Sequence, residues 1–442
     1  MKRSTKSAAV ARVALLALAA LSLALAGCAK GGGSKKATEL NLLMEDVPET
    51  HIIAKLLPEF EKATGIKVNF EIVQYGDMHS KLITQFMSAQ SKYDVIEVDN
   101  YWAGEFPAAN WLYPLTDYLK KDKFDTSVYV PQMLDMVGYY PVNAPKRALY
   151  MLPMYNYTMA LIYRTDLLND AGLQKKYKEK FNAELKVPET LEDYVRICSF
   201  MQQNTKVAGS AMQAGRGDPV VMEWTNYLFG LGGEYYDENW ASRINDERSL
   251  KAVQLYRDNL VHGAPKGAAS YNLDDSLRVM SAGDAFSMIT YNWMLAQLED
   301  PAKSKVVGKV AIAPMPGAQS LAGGWGWGIA KNTPYKDDAW RFIKWVESFD
   351  VAKRRALDGG APTRSDVLRD ADVLAKYPYY ALVEQILTKS KPVPEFQFSA
   401  QMVESVGREL SLIMAENKDP KTALDLAASD LAELAKKAGL SK

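Results

Sequence analysis

The chain has 442 residues, too many for one ordinary hydrophobic core, so at least two domains are expected. Its 53 basic and 53 acidic side chains cancel, leaving no basic excess for a nucleic-acid surface. His51, His79 and His262 are too dispersed for a zinc site, and the two cysteines, Cys28 and Cys198, lie far apart.

The chain opens with Lys2, Arg3, Lys6 and Arg12, followed by an apolar run from Val13 to Ala26. A charged head, an apolar middle and small residues ahead of a cut point mark a secretory signal. The run falls short of the ~20 residues that span a bilayer comfortably. Leu25-Ala26-Gly27-Cys28 resembles the lipobox of bacterial lipoproteins, which implies cleavage before Cys28 and lipidation of its thiol. Each buried CH₂ of such a lipid contributes roughly 0.8 kcal/mol of anchorage. Residues 1–27 are thus read as the signal and 28–37, rich in Gly and Lys, as a flexible tether. Without the signal the chain carries 49 basic and 53 acidic residues, a formal charge of −4. Cys198, left alone among apolar neighbours at helical spacing, reads as a small core residue.

Strand and helix patterns then alternate. Glu39 to Met44 reads as a buried strand, His51 to Ala63 as a helix stopped by Thr64-Gly65, and Ile66 to Val73 as a second strand. Met78 to Ser88 is helical and Tyr93 to Asp99 is a third strand, the signature of a parallel α/β layer. Further strands are expected over 148–153, 286–290, 309–314 and 326–330. Helices are expected over 222–231, 249–259, 272–281, 335–348 and 422–438, with a capping box opening another at Thr190.

Six ordered segments resemble the extracellular solute-binding proteins of ABC importers, in their sugar- and polyol-binding group. They are Thr64-Gly65-Ile66-Lys67-Val68, Tyr93 to Asp99, Tyr163-Arg164-Thr165-Asp166-Leu167-Leu168, Val187 to Asp193, Gly324 to Ala330 and Ala339 to Trp345. Leu191 stands where the family usually has Trp. The resemblance implies an α/β, two-lobed periplasmic-binding-protein type fold with discontinuous lobes and a cleft between them. The N-terminal lobe is expected over 38–153 and 325–350, the C-terminal lobe over 154–324 and 351–442. Crossings between lobes are expected near 153–156, 313–325 and 348–354. The resemblance also implies a monomer that needs no cofactor and hands a neutral sugar, glycoside or polyol to an ABC importer permease. Its place is outside the cytoplasm, lipid-anchored on the outer face of the cytoplasmic membrane or periplasmic.

A sugar offers hydroxyls around an apolar ring face, so its site needs carboxylates and amides in a plane and an aromatic plate. Loops at the carboxyl ends of parallel strands are the expected place. Glu45 and Asp46 follow the first strand, as hydroxyl acceptors or helix-capping acids. Gln74 and Tyr75 follow the second, as contacts or turn residues. Asp99, Tyr101 and Trp102 follow the third, an acid beside two aromatics. Arg216, in Gly215-Arg216-Gly217-Asp218-Pro219, offers a fork for vicinal hydroxyls, and Trp224 is a plate or a core residue. Asn292 and Trp293 end a strand. Trp325 and Trp327 alternate within a Gly-rich strand and share one face, Trp325 being the expected plate, with glycines that let backbone approach a ligand. The family resemblance adds Tyr155 and Asn156 beside the hinge and Arg364, the last as contact or salt-bridge partner.

The competing class is a tethered carbohydrate-active enzyme, glycoside hydrolase-like, using paired carboxylates such as Glu45 and Asp99. Against it, the chain has no Gly-x-Ser-x-Gly elbow, zinc helix motif or phosphate loop.

Overall fold

The computed structural model describes residues 34–88, 91–141 and 146–441. The signal segment, Cys28 and the first part of the tether lie outside the described residues. Within the tether, Lys35 N–H donates to Pro334 O at 2.7 Å and Ala37 N–H to Asp338 Oδ2 at 2.7 Å, so the chain is already fastened to the body before Thr38.

Strand β1 (Glu39–Glu45), helix α1 (Pro48–Thr64), β2 (Lys67–Val73), α2 (Tyr75–Phe86) and β3 (Val95–Asp99) form the first α/β layer. Pro48 occupies the first turn of α1, where its missing N–H costs nothing, and Gly65 ends it at φ +73°. Helix α3 (Pro131–Val137) precedes a hairpin of β4 (Tyr139–Tyr140) and β5 (Ala148–Leu149), then β6 (Met151–Asn156) and β7 (Met159–Arg164). Helix α4 (Leu191–Asn204) opens at Thr190, whose hydroxyl accepts from Asp193 N–H at 3.1 Å. After β8 (Ala208–Ser210) come α5 (Asp218–Gly230), α6 (Glu247–His262), α7 (Leu273–Ser281), β9 (Ala285–Tyr291), β10 (Val310–Ala313) and β11 (Gly324–Ile329). Helices α8 (Lys336–Val346), α9 (Phe349–Leu357), α10 (Ser399–Glu416) and α11 (Pro420–Lys437) complete the elements used below.

The strands build two main sheets, one per lobe. The first has the order β2-β1-β3-β11-β6, with β1 parallel to β2 and β3 and β11 antiparallel to both neighbours. The second has the order β10-β7-β9-β8. The chain leaves the first sheet after Asn156 and enters the second at Met159, slightly later than the sequence suggests, because β6 continues through Pro153 to Asn156. It returns between Ala313 and Gly324.

Register explains the Gly-Trp repeat. Trp325 lies opposite Asp99 on β3 and Tyr155 on β6, and Trp327 lies opposite Glu97. Both tryptophans leave one face of the sheet. On the other face a Cβ at Gly324 would come within 2.4 Å of Met133 Cε, and one at Gly326 within 2.9 Å of Met151 Cβ. The alternate glycines therefore admit α3 and neighbouring side chains rather than a ligand; Gly323, just before the strand, is the one beside the cleft.

Cys198 is fully buried in α4, and burial pushes its thiol up to about 12, as a core residue requires. Arg355 of α9 is the most connected buried charge. It donates to Glu49 Oε1 and Glu347 Oε1, both at 2.6 Å, and to the Met154 carbonyl at 2.6 Å. Removing it would strand two buried carboxylates. Arg355→Met is expected to lose about 3–5 kcal/mol in urea unfolding; a loss below about 1 kcal/mol would deny the cluster its role.

Candidate functional site

A cavity of about 850 Å³ opens between the two sheets. Its floor comes from strand ends and the turns after them. Glu45 ends β1, Tyr75 opens α2, Asp99 ends β3, Trp325 sits at the start of β11, and Tyr157 follows β6. The facing wall carries Gln213, Asp218 at the start of α5, Tyr291 at the end of β9, and Trp293.

The floor is a phenol–carboxylate lattice. Tyr75 OH donates to Asp99 Oδ2 at 2.8 Å, and Tyr101 N–H donates to Asp99 Oδ1 at 3.3 Å. Tyr157 OH donates to Glu45 Oε2 at 2.9 Å. Beneath, Tyr155 OH donates to Glu97 Oε1 at 2.7 Å and lies 3.2 Å from Glu45 Oε2. Burial pushes Glu45 up to about 7, against the pull of both tyrosines and with help from Asp218 and Asp46. Burial pushes Asp99 up to about 8 and Asp218 up to about 6. Glu97, wholly enclosed, is held well above the usual carboxylate range by burial and by Glu45.

Aromatic rings frame Trp325. Tyr75 and Trp102 meet it edge-on at 6.0 and 5.4 Å, Tyr157 does so at 6.3 Å, and Tyr155 stacks on it at 6.1 Å. Trp325 is fully buried, Gln213 is 3% exposed, and Trp325 Nε1, Trp293 Nε1 and Gln213 Nε2 have no hydrogen-bond partner although all three residues line the cavity. The site thus gathers carboxylate acceptors, residues with unanswered donors and ring surfaces around one volume.

Of the residues singled out from sequence, Glu45, Asp46, Gln74, Tyr75, Asp99, Tyr101, Trp293 and Trp325 line this cavity. Trp102 and Tyr155 stand one layer back, Trp102 stacked on Tyr75 at 5.8 Å. Asn156 and Asn292 are fully buried at the strand crossover, where Asn292 Nδ2 donates to Asn156 Oδ1 at 2.6 Å. Three residues stand away from the cavity. Arg216 is exposed because Gly217, at φ +89°, turns the chain and starts α5 at once, sending Asp218 rather than the arginine inward. Trp224 lies further along α5, buried against Tyr235. Arg364 is buried, chelating Asp366 and donating to the Glu347 carbonyl at 2.7 Å. Tyr157, Gln213, Asp218 and Tyr291 join the cavity without having been chosen from sequence. Pro219 after a glycine was the available signal for an earlier start of α5, and hence for Asp218.

The folded chain holds protons on Asp218, Glu45 and Asp99 that its unfolded form releases from about pH 4 upward. Stability from these groups is full below that pH and is lost as pH rises through about 6 to 8. Ligand-free melting temperature is therefore expected to fall from pH 5 to pH 8, and to fall less in Asp99→Asn. Parallel pH curves for the two proteins would show that Asp99 holds no such proton.

The sequence model of bacterial extracellular solute-binding proteins matches residues 46–353. A probable amino-acid ABC transporter periplasmic-binding protein of Sinorhizobium fredii is 24% identical, over 86% of this chain and 84% of its own length. The mannitol-binding protein of Pseudomonas aeruginosa is 24% identical, over 96% of this chain and 98% of its own. Among solved structures, an ABC transporter solute-binding protein from Agrobacterium radiobacter in complex with ribitol has a TM-score of 0.80 at 27% identity, covering 90% of this chain and 100% of that one.

Proposed function

The chain belongs to the bacterial extracellular solute-binding proteins, and we propose that its cavity captures a sugar or polyol in contact with both lobes. The family consists of binding proteins of ABC transporters, not enzymes, and delivery to a permease is its standard role. The observation that carries the ligand class is the pairing of unanswered donors on Gln213, Trp293 and Trp325 with the acceptors Glu45 and Asp99 around one cavity. A polyhydroxylated ligand satisfies both sets at once, because each hydroxyl donates and accepts.

The relatives described above are named for polyols and for a probable amino acid. An amino acid's carboxylate would enter beside Glu45, Asp99 and Asp218, and among the described residues no Arg lines the cavity to receive it. Its two lysines and one histidine, Lys55, Lys303 and His51, are exposed at the rim. With no base to pair with, that carboxylate would be left uncompensated in the cavity, and ribitol and mannitol become the first compounds to try.

Glu45, Asp99 and Gln213 serve as hydroxyl partners in this reading, and Trp293 and Trp325 as ring plates. The moving units in this reading are 38–156 with 324–350, and 159–313 with 351–442. The protein acts as a monomer, held on the membrane by a lipid on Cys28; Cys28→Ser should release it from membranes.

Trp293 is only partly buried and lines the cavity, so its loss should touch binding more than folding. Trp293→Ala is expected to weaken ribitol or mannitol binding by about 1–3 kcal/mol in calorimetry, with a smaller change in melting temperature. Solution scattering should show a lower radius of gyration at saturation. Lost stability with unchanged affinity would remove Trp293 from the site.

A further inference from the structure

We propose that the same cleft also takes sugars or polyols bearing an amine, and prefers them to their neutral parents. The inference rests on the sugar-binding reading above and adds a charge to the ligand.

Glu45, Asp99 and Asp218 converge on one cavity from both sheets, and among the described residues none of the three forms an ion pair. The partners of Glu45 and Asp99 are phenols and a backbone N–H. The charges that bear most on Glu45 and Asp99 are acidic, each feeling Asp218 and Asp99 feeling Glu45. Asp99 is buried and Glu45 and Asp218 are half-buried, and carboxylates so enclosed are ordinarily paired. The basic groups at the rim are committed or distant from the floor. His51 Nε2 sits 2.7 Å from Asp46 Oδ1, Lys303 Nζ 3.8 Å from Asp300, and Lys55 is exposed. Asp274 and Asp358 add two more acids to that rim. Glu97 beneath the floor, and Glu395, which feels Asp99, are both held well above the usual carboxylate range by burial.

A compact metal ion does not answer this charge. Among the described residues no three acidic, His or Cys groups converge tightly enough to hold one. An organic ammonium is larger and spreads its contacts. The walls suit it, since Tyr75, Tyr157, Tyr291 and Trp325 present rings to the same volume and ring faces attract cations. Trp325 Nε1 and Gln213 Nε2, both buried without partners, still call for oxygen acceptors. A polyhydroxylated amine supplies the oxygens and the charge together.

The pH dependence follows. An ammonium favours the ionised carboxylates, so its binding strengthens as pH rises through about 6 to 8. A neutral polyol gains only stronger hydroxyl–carboxylate hydrogen bonds from that ionisation, with no opposite charge of its own. The tyrosines lining the site stay protonated throughout, all being pushed up by burial.

Calorimetry on the full mature chain with two matched pairs tests this: ribitol against 1-amino-1-deoxyribitol, and D-mannitol against 1-amino-1-deoxy-D-mannitol. At about pH 8 the amine should bind about tenfold tighter than its parent, the effect of shifting one carboxyl by about one pH unit. The ratio should approach one near pH 5, and Asp218→Asn should lower the ratio at pH 8. Binding of a neutral parent with equal or weaker binding of its amine at pH 8 overturns the preference and leaves the sugar reading standing. Binding of neither member of either pair overturns both.

Discussion

The cluster around Arg355 is the constraint on which the site's geometry depends. One guanidinium ties together the first turn of α1 through Glu49, the end of α8 through Glu347, and the bend in β6 through the Met154 carbonyl. Glu49 in turn accepts from Ala361 N–H at 3.1 Å, and Glu347 accepts from Trp327 Nε1 at 2.8 Å. Net stabilisation by such a buried cluster is modest, because desolvation offsets most of the attraction. Its consequence is positional. Glu49 lies four residues beyond Glu45, so fixing α1 fixes the acid that ends β1. Met154 marks the register shift between Trp325 and Gly326, so fixing it aims Tyr155 beneath the cleft.

That positioning lets the floor hold acids where water is scarce. A lone buried carboxylate would be costly, and each here has a phenol or backbone donor instead of a base. The phenols cost little when the ligand leaves, since their rings pack on Trp325 and Trp102. The arrangement keeps the cavity polar and solvent-ready without an ion pair that a neutral sugar would have to break.

Much of this was legible in the chain because parallel α/β layers put function at strand ends. Glu45, Tyr75 and Asp99 could be chosen from the pattern alone, since a strand's last residue and the turn after it are readable from periodicity. The lateral order of strands is not. Nothing local in Gly324-Trp325-Gly326 states that Trp325 will lie between Asp99 and Tyr155, because that register is set by packing of distant segments. The glycines misled for the same reason: their neighbours are α3 and β6 side chains, remote in sequence. Arg216 and Asp218 exchanged roles through a single positive-φ glycine, a two-residue difference that reverses which side chain faces inward. Arg364 found its acid two residues away at Asp366, a pairing the sequence already allowed.

The crossover brings these local facts to one place. Asn156 belongs to the first sheet and Asn292 follows the last strand residue of the second, and their amides meet at 2.6 Å. Asn156 Nδ2 also donates to the Pro362 carbonyl at 2.9 Å, and Asn292 Nδ2 to the Thr158 carbonyl at 3.0 Å, so the contact is held on both sides. Their chain neighbours are Tyr157, Tyr291 and Trp293, three of the rings that line the cavity. Tyr157 lies 5.0 Å from Tyr291 and 6.2 Å from Trp293, ring centre to ring centre. The cavity-lining rings are therefore one residue removed from the buried amide contact. The chain crosses between the sheets here and again between Ala313 and Gly324. The rings that line the cavity and the strand crossover are thus adjacent in the backbone as well as in space.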